Sequence, residues 1–272
     1  MEDAEDYVYP TPVRMPKSVL LAFTEHPDMA HPDPIHPAPR DKRPLLPPHL
    51  DPAAQVWPVA QDTVVMALPS SVVVPNPLAL SSAEQTHAAR IRHGQTRHNF
   101  LAGRTLLRQW LSQVTGHPAN GLTLGTGPHG KPFLVENPSL QFNLSHGGDW
   151  LALALRNGQP VGIDLEPIQP RRRLPQLCRR YLSPDEARTV LALPPDQAQA
   201  QFLRHWTCKE AYVKGLGVGL TIPLRTVEFP LSPGPQSTTP QPIDQAQGLA
   251  PGWRIYQWQP TPGYVMALAL QG

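Results

Sequence analysis

From residue 56 onward the chain spells the order strand–helix–helix–strand twice, over 56–158 and again over 159–270. No other feature constrains the fold as much. A doubled string of this kind implies an α+β protein of two similar lobes packed side by side, each burying a sheet face under helices. The first copy opens with "VWPVAQDTVVMAL" (56–68), either a strand pair or one strand kinked at Pro58. Residues 80–116, from "LSSAEQ" to "SQVTG", carry the longest helical pattern. Ser81 and Glu84 stand ahead of it as a capping box, Gly94 marks a break into two helices, and Gly116 supplies a stop. "FNLSH" (142–146) and "WLALALR" read as strands, and Asn157-Gly158 before "PVGIDLE" signals a hairpin near the junction of the lobes. In the second copy, Ser183 and Glu186 form another capping box, with Pro184 at the first helical position. A second helix, "FLRHWTCKEAYVKGLGVGL" (202–220), closes on Gly215 and Gly217. "TVEFPL", "GWRIYQWQ" and "GYVMALAL" complete that half as strands.

Residues 1–54 differ in kind. Many of the chain's 36 prolines lie there, as in "HPDPIHPAPRDKRPLLPPHLDP". Each proline fixes φ and removes a donor, so a Pro-rich tail, disordered or draped, is expected. Within it "SVLLAF" (18–23) is short enough to dock as an edge strand, and His26, His31, His36 and His49 match no standard metal spacing. Elsewhere, 23 basic against 21 acidic residues argue against a nucleic-acid binder. The absence of any apolar run near ~20 residues argues against a membrane span. The acidic start "MEDAEDYVYP" is unlike a secretion signal, which points to the cytoplasm. The two cysteines, Cys178 and Cys208, make neither a disulfide framework nor a metal motif.

The chemistry is concentrated in four places. On the strand "VGIDLE", Val161, Ile163 and Leu165 share one face, while Gly162, Asp164 and Glu166 share the other. On the helix at 202–220, Trp206, Glu210 and Lys214 recur every fourth residue and form one stripe. If that helix packs on that strand, three carboxylates converge. Two unit charges 4 Å apart repel by about 4 kcal/mol at an effective dielectric of 20, so the cluster must take protons, splay, or recruit a cation. A hard divalent ion resolves the conflict, and Lys214 then meets a phosphate oxygen. Ser145 and His146 end a strand before two glycines, as a phosphate-binding pair or a plain turn. Arg90, Arg92, Arg97, Arg104 and Arg108 crowd the first helical region, and Lys131 rises from "GPHGKPF". These are groups suited to a polyanionic small molecule, or to a solvated helix face.

Taken in series, "GKP" (130–132), "FNLSH" (142–146), "VGIDLE" (161–166) and "WTCKEAYVKGLGVGL" (206–220) resemble the 4′-phosphopantetheinyl transferases of the surfactin-synthetase-activator type. The likeness covers roughly 56–270. It implies a pseudo-twofold, pseudodimeric monomer with the N-terminal lobe at 56–158 and the C-terminal lobe at 159–270. It also implies transfer of phosphopantetheine from coenzyme A to a serine of apo acyl or peptidyl carrier domains. By that resemblance Asp164, Glu166 and Glu210 hold Mg²⁺, or Mn²⁺ in its place. Lys214 faces the pyrophosphate, and Ser145, His146 and Lys131 hold phosphates and nucleotide. Arg90 or Arg92 meets the 3′-phosphate, Thr105 after Arg104 contacts the nucleotide, and Lys209 is left for the carrier or the 3′-phosphate. From the chemistry of the residues themselves, Glu166, or Glu210 through a metal-bound water, is expected to take the serine proton, and Trp206 to pack the helix on its sheet. The arginine that some relatives place a few residues before "GKP" is missing from "GTGPHGKP". Two further readings use the same residues: a Mg²⁺-dependent nucleotide or CoA phosphohydrolase, and a carrier-binding module whose catalysis has lapsed.

Overall fold

A computed structural model describes Leu45 and residues 51–60, 62–234 and 236–272, all within the compact unit Arg43–Gly272. "SVLLAF" and the four N-terminal histidines lie outside the described residues, as does most of the Pro-rich segment.

Among the described residues, ten strands and five helices follow in order. They are β1 (Gln55–Ala60), β2 (Thr63–Pro69), α1 (Ser82–Arg90), α2 (Gly94–Thr115), β3 (Leu124–Thr126), β4 (Pro132–Leu134), β5 (Leu140–Gly147), β6 (Trp150–Asn157) and β7 (Val161–Pro167). After these come α3 (Leu174–Tyr181), α4 (Pro184–Leu191), α5 (Pro195–Leu216), β8 (Gln241–Pro242), β9 (Trp253–Trp258) and β10 (Tyr264–Gln271). Two antiparallel four-stranded sheets result, ordered β1-β2-β6-β5 and β7-β10-β9-β8, with β3 and β4 as a separate hairpin.

Alternation along the strands makes the layers. On β2, Met66 and Leu68 pack with Leu107, Trp110 and Leu111 of α2. Val65 and Ala67 turn the other way, onto Val161, Ile163 and Leu165 of β7 and Met266 and Leu268 of β10. The opposite face of the second sheet meets α5: Ala267 and Ala269 lie with Cys208, Ala211 and Tyr212. The layers therefore run helix, sheet, sheet, helix. Trp110 is completely buried, which contributes ~3 kcal/mol relative to exposure.

Both capping boxes form as the spacing requires, at Ser81–Glu84 and Ser183–Glu186. Gly116 ends α2 in the left-handed region at φ 77°. The first helical region breaks next to Gly94 as expected, at Ile91–His93, and Gly94 begins α2. Residues 56–68 are the strand pair, β1 with β2.

Two expectations fail. Asn157-Gly158 does not close a hairpin, because β6 is flanked by β2 and β5 and offers β7 no free edge. The turn instead carries the chain from the first sheet to the second, where β7 pairs with β10. The second half also contains an additional helix, α3, and "TVEFPL" forms a single bridge, Glu228 to Gln247, instead of a strand.

The sheets join at their edges through side chains. Ile163 N donates to Asn143 Oδ1 at 2.8 Å and Leu165 N to Ser145 Oγ at 3.3 Å. Two edge strands thus satisfy backbone donors without a ladder. On its other side β7 touches α5 backbone to backbone. A Cβ added at Gly162 would lie 2.1 Å from Ala211 O and 2.2 Å from Gly215 N, so only glycine permits this approach.

Candidate active site

The Gly162 contact sets the antiparallel register of α5 over β7. Asp164 and Glu166, on the same strand face as Gly162, come under the Trp206–Glu210–Lys214 stripe. Asp164 Oδ1 accepts from Lys214 Nζ at 2.6 Å and from Ser145 Oγ at 3.0 Å. Ser145 Oγ also accepts from Lys214 Nζ at 3.1 Å, which closes a triangle of three buried or half-buried groups. Glu166 accepts from Trp206 Nε1 at 3.2 Å and from Arg171 Nη2 at 2.6 Å. Trp206 is buried edge-on to Tyr181, with ring centroids 4.8 Å apart, so it packs the helix and also orients Glu166.

This polar cluster is short of donors. Asp164 Oδ2 and Glu210 Oε1 are buried with no hydrogen-bond partner. Burial first, and the Asp164 charge second, push the Glu210 carboxyl up to about 7. Burial and Asp164 likewise raise Glu166 to about 7, against the pull of Arg171 and Lys214. Loss of water would lower the Lys214 ammonium, but Asp164, with Glu210 and Glu166 behind it, outweighs that and raises it. The three carboxylates therefore lie within one another's fields. Among the described residues, no three His, Cys, Asp or Glu side chains form a ready metal cage; as the side chains stand, the Lys214 ammonium is the cation beside Asp164. The unpartnered carboxylate oxygens and the proton-seeking glutamates are the donor set that a hard divalent cation fits.

His146, beside Ser145, keeps an exposed surface although packed atoms surround much of the ring; this partial loss of hydration and the Lys214 charge hold its imidazole below the usual histidine range, against the pull of Asp164. Arg90 and Arg92 are exposed at the end of α1 and in the following turn. Arg104 is three-quarters buried, 3.7 Å from Glu84 Oε1.

Other residues are committed elsewhere. Thr105 is fully buried and its hydroxyl accepts from Asn76 N at 3.0 Å, anchoring the segment before α1 rather than facing an opening. Lys131 donates to the carbonyls of Val161 and Gly215. Arg108 is also withdrawn from any ligand: it pairs with Glu84 at 2.7 Å and donates to the carbonyls of Ala119 and Leu122.

Lys209 corrects the sequence reading most sharply. It has no exposed surface and pairs with Glu186 at 2.7 Å, with further bonds to the carbonyls of Leu224 and Val227. A fully buried ammonium with these partners is unavailable to a carrier or a 3′-phosphate. Arg171 is the residue that sequence reasoning missed; the run "PRRRL" at 170–174 signals only a charged surface, and nothing local points to Glu166.

Comparison with known proteins gives the family. Residues 160–269 match the 4′-phosphopantetheinyl transferase superfamily, and residues 77–157 match the N-terminal region of 4′-phosphopantetheinyl transferases. Over 196 residues the chain is 34% identical to the 4′-phosphopantetheinyl transferase HetI of Nostoc sp., a match covering 71% of this chain and 79% of that protein. The chain belongs to the 4′-phosphopantetheinyl transferase superfamily. It is also 31% identical over 189 residues to the transferase psf-1 of Bacillus pumilus, covering 70% of this chain and 78% of that one. With the transferase Sfp of Bacillus subtilis it shares 29% identity over 189 residues, covering 70% and 81%. As an enzyme of this superfamily the chain has its buried acidic cluster in the second matched segment and Ser145 in the first. No helix among the described residues is long and apolar enough to cross a membrane.

Proposed function

We propose that the enzyme transfers the 4′-phosphopantetheine of coenzyme A to a serine hydroxyl of an acyl or peptidyl carrier domain and releases adenosine 3′,5′-bisphosphate. The observation that carries this reading is the pair of buried, unpartnered oxygens, Asp164 Oδ2 and Glu210 Oε1, beside the Lys214 ammonium. Asp164, Glu166 and Glu210 would hold Mg²⁺, which when bound supplies charge neutralisation on the pyrophosphate oxygens.

The chain's own residues account for the rest. Lys214 is placed to meet the pyrophosphate and to stabilise the leaving phosphate as negative charge builds on it. Ser145 holds Lys214 and Asp164 in a fixed triangle, so those groups need not reorganise during transfer. A serine hydroxyl is a poor nucleophile until a base accepts its proton. Glu210 suits that task better than Glu166, because both Glu166 oxygens already accept from Trp206 and Arg171. Arg90, Arg92 and Arg104, with His146, supply charge for the nucleotide and its 3′-phosphate. The segments 56–158 and 159–270 act as two lobes of a cytoplasmic monomer, with coenzyme A seated between them.

The test is intact-mass measurement of an apo carrier after incubation with enzyme, coenzyme A and Mg²⁺. The expected result is one phosphopantetheine added to the carrier serine by the natural enzyme. With Glu210→Gln, kcat should be at least ~10²-fold lower. Free phosphopantetheine with an unmodified carrier would establish a phosphohydrolase instead, and an undiminished rate in Glu210→Gln would remove the site assignment.

A further inference from the structure

Lys131 lies at the end of the tight turn between β3 and β4. Gly130 adopts φ 86° there, and Gly127 N donates to Lys131 O at 2.9 Å. The turn throws the lysine side chain out of its own hairpin and onto the second sheet and its helix. Nζ donates to Val161 O, at the first residue of β7, at 3.0 Å and to Gly215 O, in the last turn of α5, at 2.8 Å. The aliphatic stem lies against the end of α5, where a Cβ added at Gly217 would come within 3.1 Å of Lys131 Cδ.

The two carbonyls flank the closest point of the active-site framework. Gly162 follows Val161, and Gly215 N is one of the atoms that a Cβ on Gly162 would strike. Gly215 O is among the last four carbonyls of α5, which lack acceptor roles inside the helix and lie at its negative end. An ammonium placed there answers both conditions. Burial pushes that ammonium down to about 8, as expected for a group enclosed between elements rather than held out for a ligand.

We propose that Lys131 is a positioning residue for the transfer reaction: it latches the last turn of α5 to the start of β7 and so keeps Glu210 and Lys214 in register with Asp164 and Glu166. The latch originates in the first matched segment, whereas both of its acceptors lie in the second. The inference rests on the transferase reading given above, and it differs from the role that resemblance alone implies for this lysine, a phosphate ligand. A phosphate ligand acts on the affinity for coenzyme A; a latch acts on the turnover of bound substrate.

The test compares Lys131→Met and Lys131→Arg with the natural enzyme in three measurements. These are steady-state kcat and KM for coenzyme A, calorimetric affinity for coenzyme A, and amide exchange across residues 211–217. Methionine keeps the stem and removes the donors; arginine keeps charge and donors. Lys131→Met should lower kcat ~10- to ~100-fold, because small misplacements of reacting groups cost that much, and should leave coenzyme A affinity within about twofold. Exchange at Gly217 N, which donates to Val213 O at 3.0 Å, should quicken, and Lys131→Arg should restore a large part of both kcat and protection. Weakened coenzyme A binding with unchanged kcat and exchange would overturn the latch in favour of a phosphate contact. No change in any measurement would also overturn it. If Lys131→Met does not accumulate in folded form, the kcat and affinity of Lys131→Gln decide by the same criteria. Faster exchange in Lys131→Met from an enzyme that modifies no carrier would retain the latch while removing the transferase reading.

Discussion

Helix α5 presents two charged clusters on neighbouring faces. Lys209 and Glu210 are consecutive, about 100° apart around the axis, and both are withdrawn from solvent. On the Lys209 side, Glu186 accepts from Ser183 N and Phe229 N at 2.9 Å each, pairs with Lys209 at 2.7 Å, and lies 3.2 Å from His205 Nδ1. Burial alone would raise this carboxyl, yet the adjacent His205 ring and the Lys209 charge prevail and hold it down at about 2. On the Glu210 side, Asp164 Oδ2 and Glu210 Oε1 lack donors, and burial together with the Asp164 charge pushes the carboxyls of Glu210 and Glu166 up to about 7. Both clusters are desolvated; what separates them is that one carboxylate is matched by its cation and donors, whereas three carboxylates repel one another and two of their oxygens have no donor. The satisfied cluster ties α4, α5 and the 224–229 segment together. The under-satisfied one retains capacity for a ligand, which is why we place the chemistry there.

Substitutions on the two faces give the largest test of this contrast. Glu210→Gln should abolish most transfer and leave the melting temperature unchanged or raised, since it removes a repelled charge. Lys209→Met should instead destabilise by roughly 3–5 kcal/mol, because it leaves Glu186 buried without its cation. Thermal unfolding and carrier modification measured on both variants check the pair. Equal loss of stability in the two would erase the distinction.

The pH dependence of stability should separate them next, in metal-free protein. Glu166 and Glu210 keep protons when folded that the unfolded chain releases above about 4.5, so stability falls as pH rises from about 4.5 to about 7. Glu186 acts in the opposite sense: its contribution is complete above about 4.5 and is lost as pH falls toward about 2. Each of the three glutamates contributes on the order of 3 kcal/mol, so the neutral limb, which carries two of them, is the larger. Denaturant unfolding across pH 2–8 reads both, and added Mg²⁺ should flatten the neutral limb alone. A neutral limb that rises with pH would contradict the repulsion assigned to the cluster.

The smallest expected effect is at the boundary of the two faces. Trp206→Phe retains most of the packing against Tyr181 and Phe202 but removes the hydrogen bond to Glu166. Loss of one such bond to a charged acceptor is worth about 1.5–3 kcal/mol. Because Arg171 still holds Glu166, we expect the low end of that range, read as roughly a tenfold fall in kcat with KM for the carrier unchanged. A change confined to KM would place Trp206 in contact with substrate.

Much of this was legible in residue order. The capping boxes, the helix stops at Gly116 and Gly217 and the Trp206–Glu210–Lys214 stripe depend on neighbours within one or two helical turns; Gly215, expected as a second stop, stays inside α5 because it is there that the helix meets β7. The shared face of Gly162, Asp164 and Glu166 follows from a period of two. Even the meeting of stripe and strand had a local trace, since Gly162 lies on the face where a helix must come closest. The hairpin at Asn157-Gly158 went astray because a turn signal does not record whether the preceding strand still has a free edge. Thr105, Arg108 and Lys209 went astray for a related reason: a polar side chain on a helix does not reveal whether it will face water, a carbonyl or a buried carboxylate.

The primary structure thus established which segments become helix or strand, and which faces carry acid and base. Whether a given donor would be spent on the framework or kept for chemistry was decided by folding. Lys131 meets its helical acceptor 84 positions away, and Ser145 meets Lys214 across 69. Repeating patterns are short-range, with each residue answering to the next turn or the next pleat. Hydrogen-bond satisfaction is global, because an acceptor's needs are met by whichever donor the packed layers bring to it.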